Sequence, residues 1–340
     1  MRKIAFLFAL IALAFTACNG GGETKEKKTD DSAVDQVAVF DQASKVFAVL
    51  PSEAPNPDNP LNDDKVELGK KLYMDKRLSK DETQSCNTCH NLETYGVDNK
   101  PTSEGNNGGL GTRNSPTSFN AALHSAQFWD GRNKDVEEQA GGPILNPVEM
   151  EMPNEQAVID RVKADPEYVE LFKAAFPGEE DPITYKNITY AIGAFERTLL
   201  TPAPFDDYLA GQKDALTQEQ IEGLKEFMDV GCTQCHNGAL LGGQLFMKFG
   251  IYEPYWELTG SNPIDSGKYV VTHNEADLFV FKTPSLRNIA ETWPYFHDGS
   301  VKDLGKAVQI MAKTELGKDL TDEQTQKIVA FLKSLTGELK

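Results

Sequence analysis

The sequence is short of basic residues, of strand-like segments, of long apolar runs, and of cysteine and histidine. Its 34 Lys and Arg face 52 Asp and Glu, for a formal net charge of −18. That field disfavours nucleic acid and favours a cationic partner, although solubility alone accounts for it equally well. The uncharged run from Ile4 to Phe15 is too short to cross a bilayer as a stable helix. Five cysteines and five histidines in 340 residues leave little material for thiol or imidazole chemistry, so the placement of those few carries the argument.

What is present begins with an export signal. Met1-Arg2-Lys3 is a basic n-region, Ile4 to Phe15 the apolar segment, and Thr16-Ala17-Cys18 closes it. This predicts a lipoprotein-type signal over residues 1–17, with Cys18 as the lipid-modified first residue of a periplasmic protein anchored to a membrane. Cleavage after Ala12-Leu13-Ala14 is the alternative, and it strands Cys18 as a free thiol. Loss of Arg2 and Lys3 takes the mature chain to −20, from −18. Residues 18–50 read as a Gly-rich, charged tether followed by a linker helix, with apolar positions at Val37, Phe40, Ala43, Phe47 and Leu50. The Pro-rich run from Pro51 to Pro60 breaks that helix.

The body repeats one plan. LGKKLYMDKRLSKDETQSCNTCHN and LTQEQIEGLKEFMDVGCTQCHNG both run through a helix into a cysteine pair. In the second, Thr217 and Gln220 form a capping box, and Ile221, Leu224, Phe227 and Met228 give an apolar face. Thr321 and Gln324 repeat the start signal for a closing helix lined by Ile328, Val329, Phe331, Leu332 and Leu335, with Gly337 as its stop. Two short strands are predicted, Lys268 to Thr272 and Leu278 to Phe281. The reading is mostly α: two tandem cytochrome c-like haem domains with few short strands, over 51–200 and 201–340, divided at Leu200-Thr201-Pro202-Ala203-Pro204.

Four of the cysteines form two pairs, Cys86-Asn87-Thr88-Cys89-His90 and Cys232-Thr233-Gln234-Cys235-His236. Two thiols two residues apart reach the two vinyl groups of one haem c, and the next histidine then meets the iron. A redox disulfide or half a zinc site are the rival readings. A histidine directly after each pair, twice in an exported chain, argues against both. A haem opposite His236 needs a second ligand or an open face, and Met311 is the downstream candidate, otherwise a core methionine.

The chain resembles the bacterial di-haem cytochrome c peroxidase family from about Leu61 to Gly337. The runs that carry the resemblance are CNTCHNLETYGVD, GTRNSPTSFNAALHSAQFWDGR, EEQAGGPILNPVEM, GCTQCHNG, FKTPSLRNIAETWPYFHDGSV and AVQIMAKTELGKDLTDEQ. The resemblance implies reduction of hydrogen peroxide to water with electrons from a small redox protein, a cytochrome c or a cupredoxin. It implies that the haem on Cys86, Cys89 and His90 is peroxidatic and of low potential. The haem on Cys232, Cys235 and His236, with Met311, is then the high-potential electron-input haem. It further implies Glu149 as catalytic acid–base, Gln139 as its companion, Trp129 between the haems, calcium on Asn114, Thr292 and Pro294, and a homodimer. Taken alone, Glu149 reads as a solvated acid and Trp129 as core, and the calcium residues carry no metal signal. His297 is expected near the second haem; His124 and His273 default to structural or surface positions.

Three other functions share parts of this pattern. A MauG-like protein-oxidising enzyme has, by resemblance, a tyrosine where Met311 stands. A pure electron-transfer di-haem cytochrome has no use for Glu149 and Gln139 near an open iron, and a haem-based sensor or peroxide-binding module without turnover is the third alternative. One departure stands out. Many members of the family carry a haem-capping histidine in the loop after the first haem, whereas Asn106 occupies the corresponding place in Thr102–Gly109. The glycines of that loop suggest mobility.

Overall fold

The computed structural model describes residues 34–339; the expected signal, Cys18 and most of the tether lie outside the described residues. Residues from Val34 onward form one compact unit. The helices are α1 (Gln36–Val46), α2 (Asp63–Met74), α3 (Cys86–Cys89), α4 (Val136–Leu145), α5 (Glu155–Lys163), α6 (Pro166–Ala175), α7 (Tyr185–Glu196), α8 (Pro204–Leu209) and α9 (Gln218–Val230). The antiparallel pair β1 (Phe246–Lys248) and β2 (Val280–Lys282) brackets α10 (Tyr255–Thr259) and α11 (Tyr269–Thr272), and α12 (Leu304–Leu316) and α13 (Asp322–Lys333) close the chain.

The repeated plan is visible in how the helices cross. In the first half α2 packs on α7; in the second, α9 packs on α13. Each crossing is made by a glycine. A Cβ at Gly69 would run into the carbonyl oxygen of Ala191 and the Cβ of Phe195, and one at Gly223 into the carbonyl oxygen of Lys327 and the Cβ of Phe331. The carbonyl and the phenylalanine are four residues apart in both, on one helix face. Two backbones in such close approach set a fixed angle between the helix leading into a cysteine pair and the helix that closes its domain.

Each half has its own core. Leu68, Leu72, Tyr73, Ile144, Phe172, Ile188, Ile192 and Phe195 fill the first. Phe205, Tyr208, Ile221, Leu224, Phe227, Ile328, Phe331 and Leu335 fill the second, joined by Val39, Ala43 and Phe47 from α1. The linker helix thus belongs to the second core, although it precedes the first domain in sequence. Its buried face is Val39 and Ala43, while Val37, expected inside, is 54% exposed.

Both capping boxes form, at Thr217/Gln220 and Thr321/Gln324. The closing helix ends at Lys333, not at Gly337. Gly337 instead donates its N–H to Asn288 Oδ1 at 2.9 Å, packed so tightly against the Pro202 carbonyl that no side chain fits. The predicted strand at Lys268–Thr272 is a helical turn, α11, because Val270, Val271 and Thr272 bond back to Gly267 and Lys268. The second predicted strand holds, shifted to Val280–Lys282. Its partner β1 went unpredicted because three residues, FMK, carry no period. Asp206 ties the seam: Arg287 donates two hydrogen bonds to it at 2.7 and 2.8 Å, and Leu50 and Ala203 donate their N–H groups.

Candidate active site

The first cysteine pair is α3 itself, a single turn started by Ser85, whose N–H donates to Thr88 Oγ1 at 3.0 Å. His90 follows at the helix end, and Tyr73, buried in α2, donates its hydroxyl to the His90 carbonyl at 2.7 Å. The core of the first half therefore fixes where that imidazole sits. His90 is held below the ordinary histidine pKa by burial, partly offset by the Asp98 charge. Its Nδ1 is buried without a hydrogen-bond partner. In the second site, His236 Nδ1 lies 2.9 Å from the Leu241 carbonyl. A carbonyl only accepts, so Nδ1 carries the proton and Nε2 is left with the lone pair a metal needs. Burial keeps His236 neutral as well.

All four thiols are unpaired. Burial raises Cys86 far above the ordinary thiol range and pushes Cys232 up to about 12. Thiols held protonated this way are poor redox nucleophiles and poor zinc ligands. Among the described residues no group of three or more His, Cys, Asp or Glu side chains converges to hold a metal ion.

A cavity of about 390 Å³ opens beside the second pair. Cys232, Cys235 and His236 line it, Met311 of α12 lines it as well, and Trp129 closes it from the first half. Two half-buried thiols, an imidazole with a free Nε2 and a thioether around one apolar space fit a covalently held haem with His and Met ligands. His297 lines the same cavity, stacked on Phe281 at 4.4 Å between ring centroids. Trp129 donates its indole N–H to the Asn114 carbonyl at 2.9 Å. Asn114, Thr292 and Pro294 also line this space. Asn114 Nδ2 is spent on the Lys100 carbonyl at 2.9 Å, which turns its Oδ1 away from that bond and leaves it as the available donor to a hard cation.

Glu149 sits in the turn directly after α4, which carries Gln139. Asn146, the last cap of α4, accepts the Val148 N–H and donates from Nδ2 to Glu149 Oε1 at 2.8 Å. Burial raises Glu149 above the usual carboxylate pKa, while the Arg132 charge and the Asn146 hydrogen bond act the other way. The Glu149 charge in turn acts on both Cys86 and Cys89, so this half-buried carboxylate lies on the side of the molecule that carries the first thiol pair. Arg132 stacks over Phe128 at 3.4 Å, and a side chain at Gly142, one turn beyond Gln139, would meet that same ring. The Gln139 face of α4 therefore looks toward Phe128 and Arg132.

The loop after the first haem is not free. Gly105 and Gly111 bond across it to Gly109 and Ser103, and the Asn106 N–H donates to the Glu149 carbonyl at 2.7 Å. The Asn106 side chain faces outward, to Asp81, Thr83 and Glu151. His273 is on the surface and His124 lies in the cavity of the second haem.

Sequence comparison agrees with the geometry. The profile of the di-haem cytochrome c peroxidase family matches residues 63–214, and that of cytochrome c matches 220–336. A cytochrome c551 peroxidase of Pseudomonas aeruginosa is 48% identical over 88% of this chain and 87% of its own length. The chain belongs to the di-haem cytochrome c peroxidase family. It is a peroxidase carrying haem c, with a mostly helical fold of two cytochrome c-like domains. A second cytochrome c551 peroxidase, from Nitrosomonas europaea, is 46% identical over 88% of each chain. The methylamine utilization protein MauG of Methylorubrum extorquens is 32% identical over 99% of this chain and 97% of its own. Among solved structures, a MauG-like protein associated with microbial copper homeostasis superposes with a TM-score of 0.76, at 30% identity, over 85% of this chain and 94% of its own.

Sequence reading missed Asn146 and Arg132. Asn146 was findable, since an Asn three residues before a buried acid in Asn-Pro-Val-Glu can reach it across the turn. Arg132 was not, because only the fold brings it to Glu149.

Proposed function

We propose that this protein reduces hydrogen peroxide to water in the periplasm, with electrons from a small donor protein, a cytochrome c or a cupredoxin. Peroxide binds over His90, and electrons come in at the haem on Cys232, Cys235, His236 and Met311. The observation that carries this reading is Glu149: a half-buried carboxylate with a raised pKa beside the first thiol pair, oriented by Asn146.

When bound, the haems supply the redox chemistry and the second stores an electron. The chain supplies the rest. Glu149, ionised at rest, takes a proton from the near peroxide oxygen and gives it to the departing one. A pKa moved up toward the operating pH suits one group to both tasks. Gln139, on the helix face directed at Phe128 and Arg132, orients peroxide and donates to the charge that develops. Trp129 stands against the second cavity, with its backbone carbonyl bonded to the Lys282 N–H at 2.8 Å. It forms the passage between the two haems. Calcium held by Asn114 Oδ1 and the carbonyls of Thr292 and Pro294 fastens that same interface, since Asn114 also accepts from Trp129.

The protein-oxidising alternative, the activity of the MauG relatives by family resemblance, is disfavoured by Met311: a thioether there raises the second haem's potential and suits electron transfer. The acidic surface suits a cationic donor. A lipid anchor at Cys18 and a homodimer complete the proposal. The test is steady-state turnover of peroxide with reduced cytochrome c, beside a haem count by mass and haemochrome. Two covalent haems with turnover are expected, and one haem after Cys232→Ala with Cys235→Ala. Two haems without turnover against any reduced cytochrome or cupredoxin would overturn it.

A further inference from the structure

The second cavity contains a buried pair that the peroxidase mechanism does not use. Lys282 of β2 is 6% exposed, and its Nζ lies 2.9 Å from His124 Nδ1 and donates to the Ala126 carbonyl at 2.8 Å. His124 lines the cavity shared with Cys232, Cys235, His236 and Met311, and its Nε2 is buried with no hydrogen-bond partner. Lysine is rarely buried without a carboxylate opposite it. Here the side-chain hydrogen-bond partner is the His124 imidazole, and Asp130 acts on the amine only through its charge. The loop bearing His124 and the strand bearing Lys282 come from different halves of the chain, and both line this cavity.

We propose that His124 and Lys282 form a proton-accepting pair beside the second haem, so that an electron delivered to that haem is matched by a proton taken up between Nζ and Nδ1. This rests on the reading that the haem on Cys232, Cys235 and His236 receives the donor's electron. The balance is simple. One electron leaves the reduced donor protein and is stored at the haem, one proton leaves bulk water and is held by the pair, and no other bond changes.

Three observations support it. Burial lowers Lys282 to about 7, with the Asp130 charge partly restoring it. Burial, then the Lys282 charge, holds His124 well below an ordinary imidazole, so the pair carries at most one proton. The surroundings are otherwise quiet. Asp130 is the charged group facing Lys282, and it is tied to Arg113 and Arg132 at 2.6 and 2.9 Å. Lys282 is the charged group facing His124, whose ring packs on Gly243. His297, stacked on the neighbouring Phe281, is held below the ordinary histidine range by burial, with Asp298 and Asp265 acting against it. An electron added across this low-dielectric cavity raises the pair's proton affinity, and by reciprocity the bound proton raises the haem's electron affinity.

The experiment is a potentiometric titration of the loaded protein over the pH units on either side of 7. The second haem is identified by its loss in Cys232→Ala with Cys235→Ala. Its midpoint should fall with rising pH, with a slope approaching about 59 mV per tenfold change in proton activity for one proton per electron. Lys282→Gln should flatten the slope, and His124→Asn should reduce it, with both haems retained. A flat wild-type profile overturns the proposal without any variant. So does an undiminished slope in either variant that keeps its haems, which would assign the proton to a haem carboxylate. If the haem on Cys232 proves to be the lower-potential one, the assignment of haem roles fails while the slope still decides the pair.

Discussion

Glu149→Gln is the substitution that tests the mechanism most directly, because the structure limits what it changes. Asn146 Nδ2 donates to Glu149 Oε1 at 2.8 Å, and a glutamine oxygen accepts the same bond. The Asn146–Glu149 turn, closed by the Glu149 N–H on the Asn146 carbonyl at 3.0 Å, is untouched. Shape and orientation persist; the charge and the capacity to take a proton do not. No neighbour replaces them. Glu151 points the other way, bound to Lys80 at 2.7 Å and to Asn106. Losing a positioned acid–base group costs about 10²- to 10⁴-fold, or about 2.7 to 5.4 kcal/mol of barrier at 1.36 kcal/mol per decade. We expect a fall in turnover of at least about a hundredfold, with both haem spectra unchanged. Glu149→Asp keeps the charge but withdraws it by a methylene, and a displacement of about 1 Å also costs about a hundredfold. The wild-type acid limb offers an independent check. Because burial raises Glu149, its ionised form is lost as pH falls through a value above the ordinary 4.5. Arg132→Gln removes a charge that opposes that rise, so the limb should move to higher pH. Steady-state turnover with reduced cytochrome c, followed against pH, measures all three. Turnover of Glu149→Gln within threefold of wild type would show that another group moves the proton.

Other outcomes follow from the same geometry. Met311→His should lower the second haem's midpoint potential, since imidazole donates more strongly than thioether; an unchanged potential would return Met311 to the core. Asp206→Asn leaves buried Arg287 without its counter-charge. It should destabilise the fold by about 3–5 kcal/mol, read by denaturant melting. The Asp206 carboxyl is held below its usual range mainly by Arg287 against the opposing burial, so its contribution is present above the unfolded carboxylate pKa and is lost as pH falls through the lower folded value. With Asn106 turned outward, the oxidised protein as isolated should show one high-spin ferric haem and react with peroxide without prior reduction. Two low-spin haems would refute this and point to another capping residue.

How much was legible in the sequence depended on the range over which each signal acts. Capping boxes are local, and both formed where Thr-x-x-Gln stood. The haem pairs are local as well, since five contiguous residues hold both thioethers and the proximal ligand. The expected apolar positions of the linker segment held at Phe40, Ala43, Phe47 and Leu50; Val37 proved exposed and Val39, not expected, is buried against the second core. Gly337 reads as a helix stop but serves a contact with Asn288 and Pro202 far away in sequence. At the site, Glu149 and Gln139 stood in a recognisable run, whereas Arg132 beside Glu149 and Lys282 beside His124 exist only once the halves have folded together.

The bond from the Asn106 N–H to the Glu149 carbonyl has a mechanical consequence. Gly105 packs on the Val148 carbonyl so closely that no side chain fits between them, and the Asn106 amide continues that seam one residue on. The loop and the turn bearing the carboxylate are therefore one piece, like a latch cast together with its bolt. Moving this loop on its own breaks the Asn106–Glu149 bond and opens the Gly105–Val148 contact. Any displacement large enough to admit or exclude a ligand would drag the proton-transferring group with it, so in this chain access and catalysis are geared to each other.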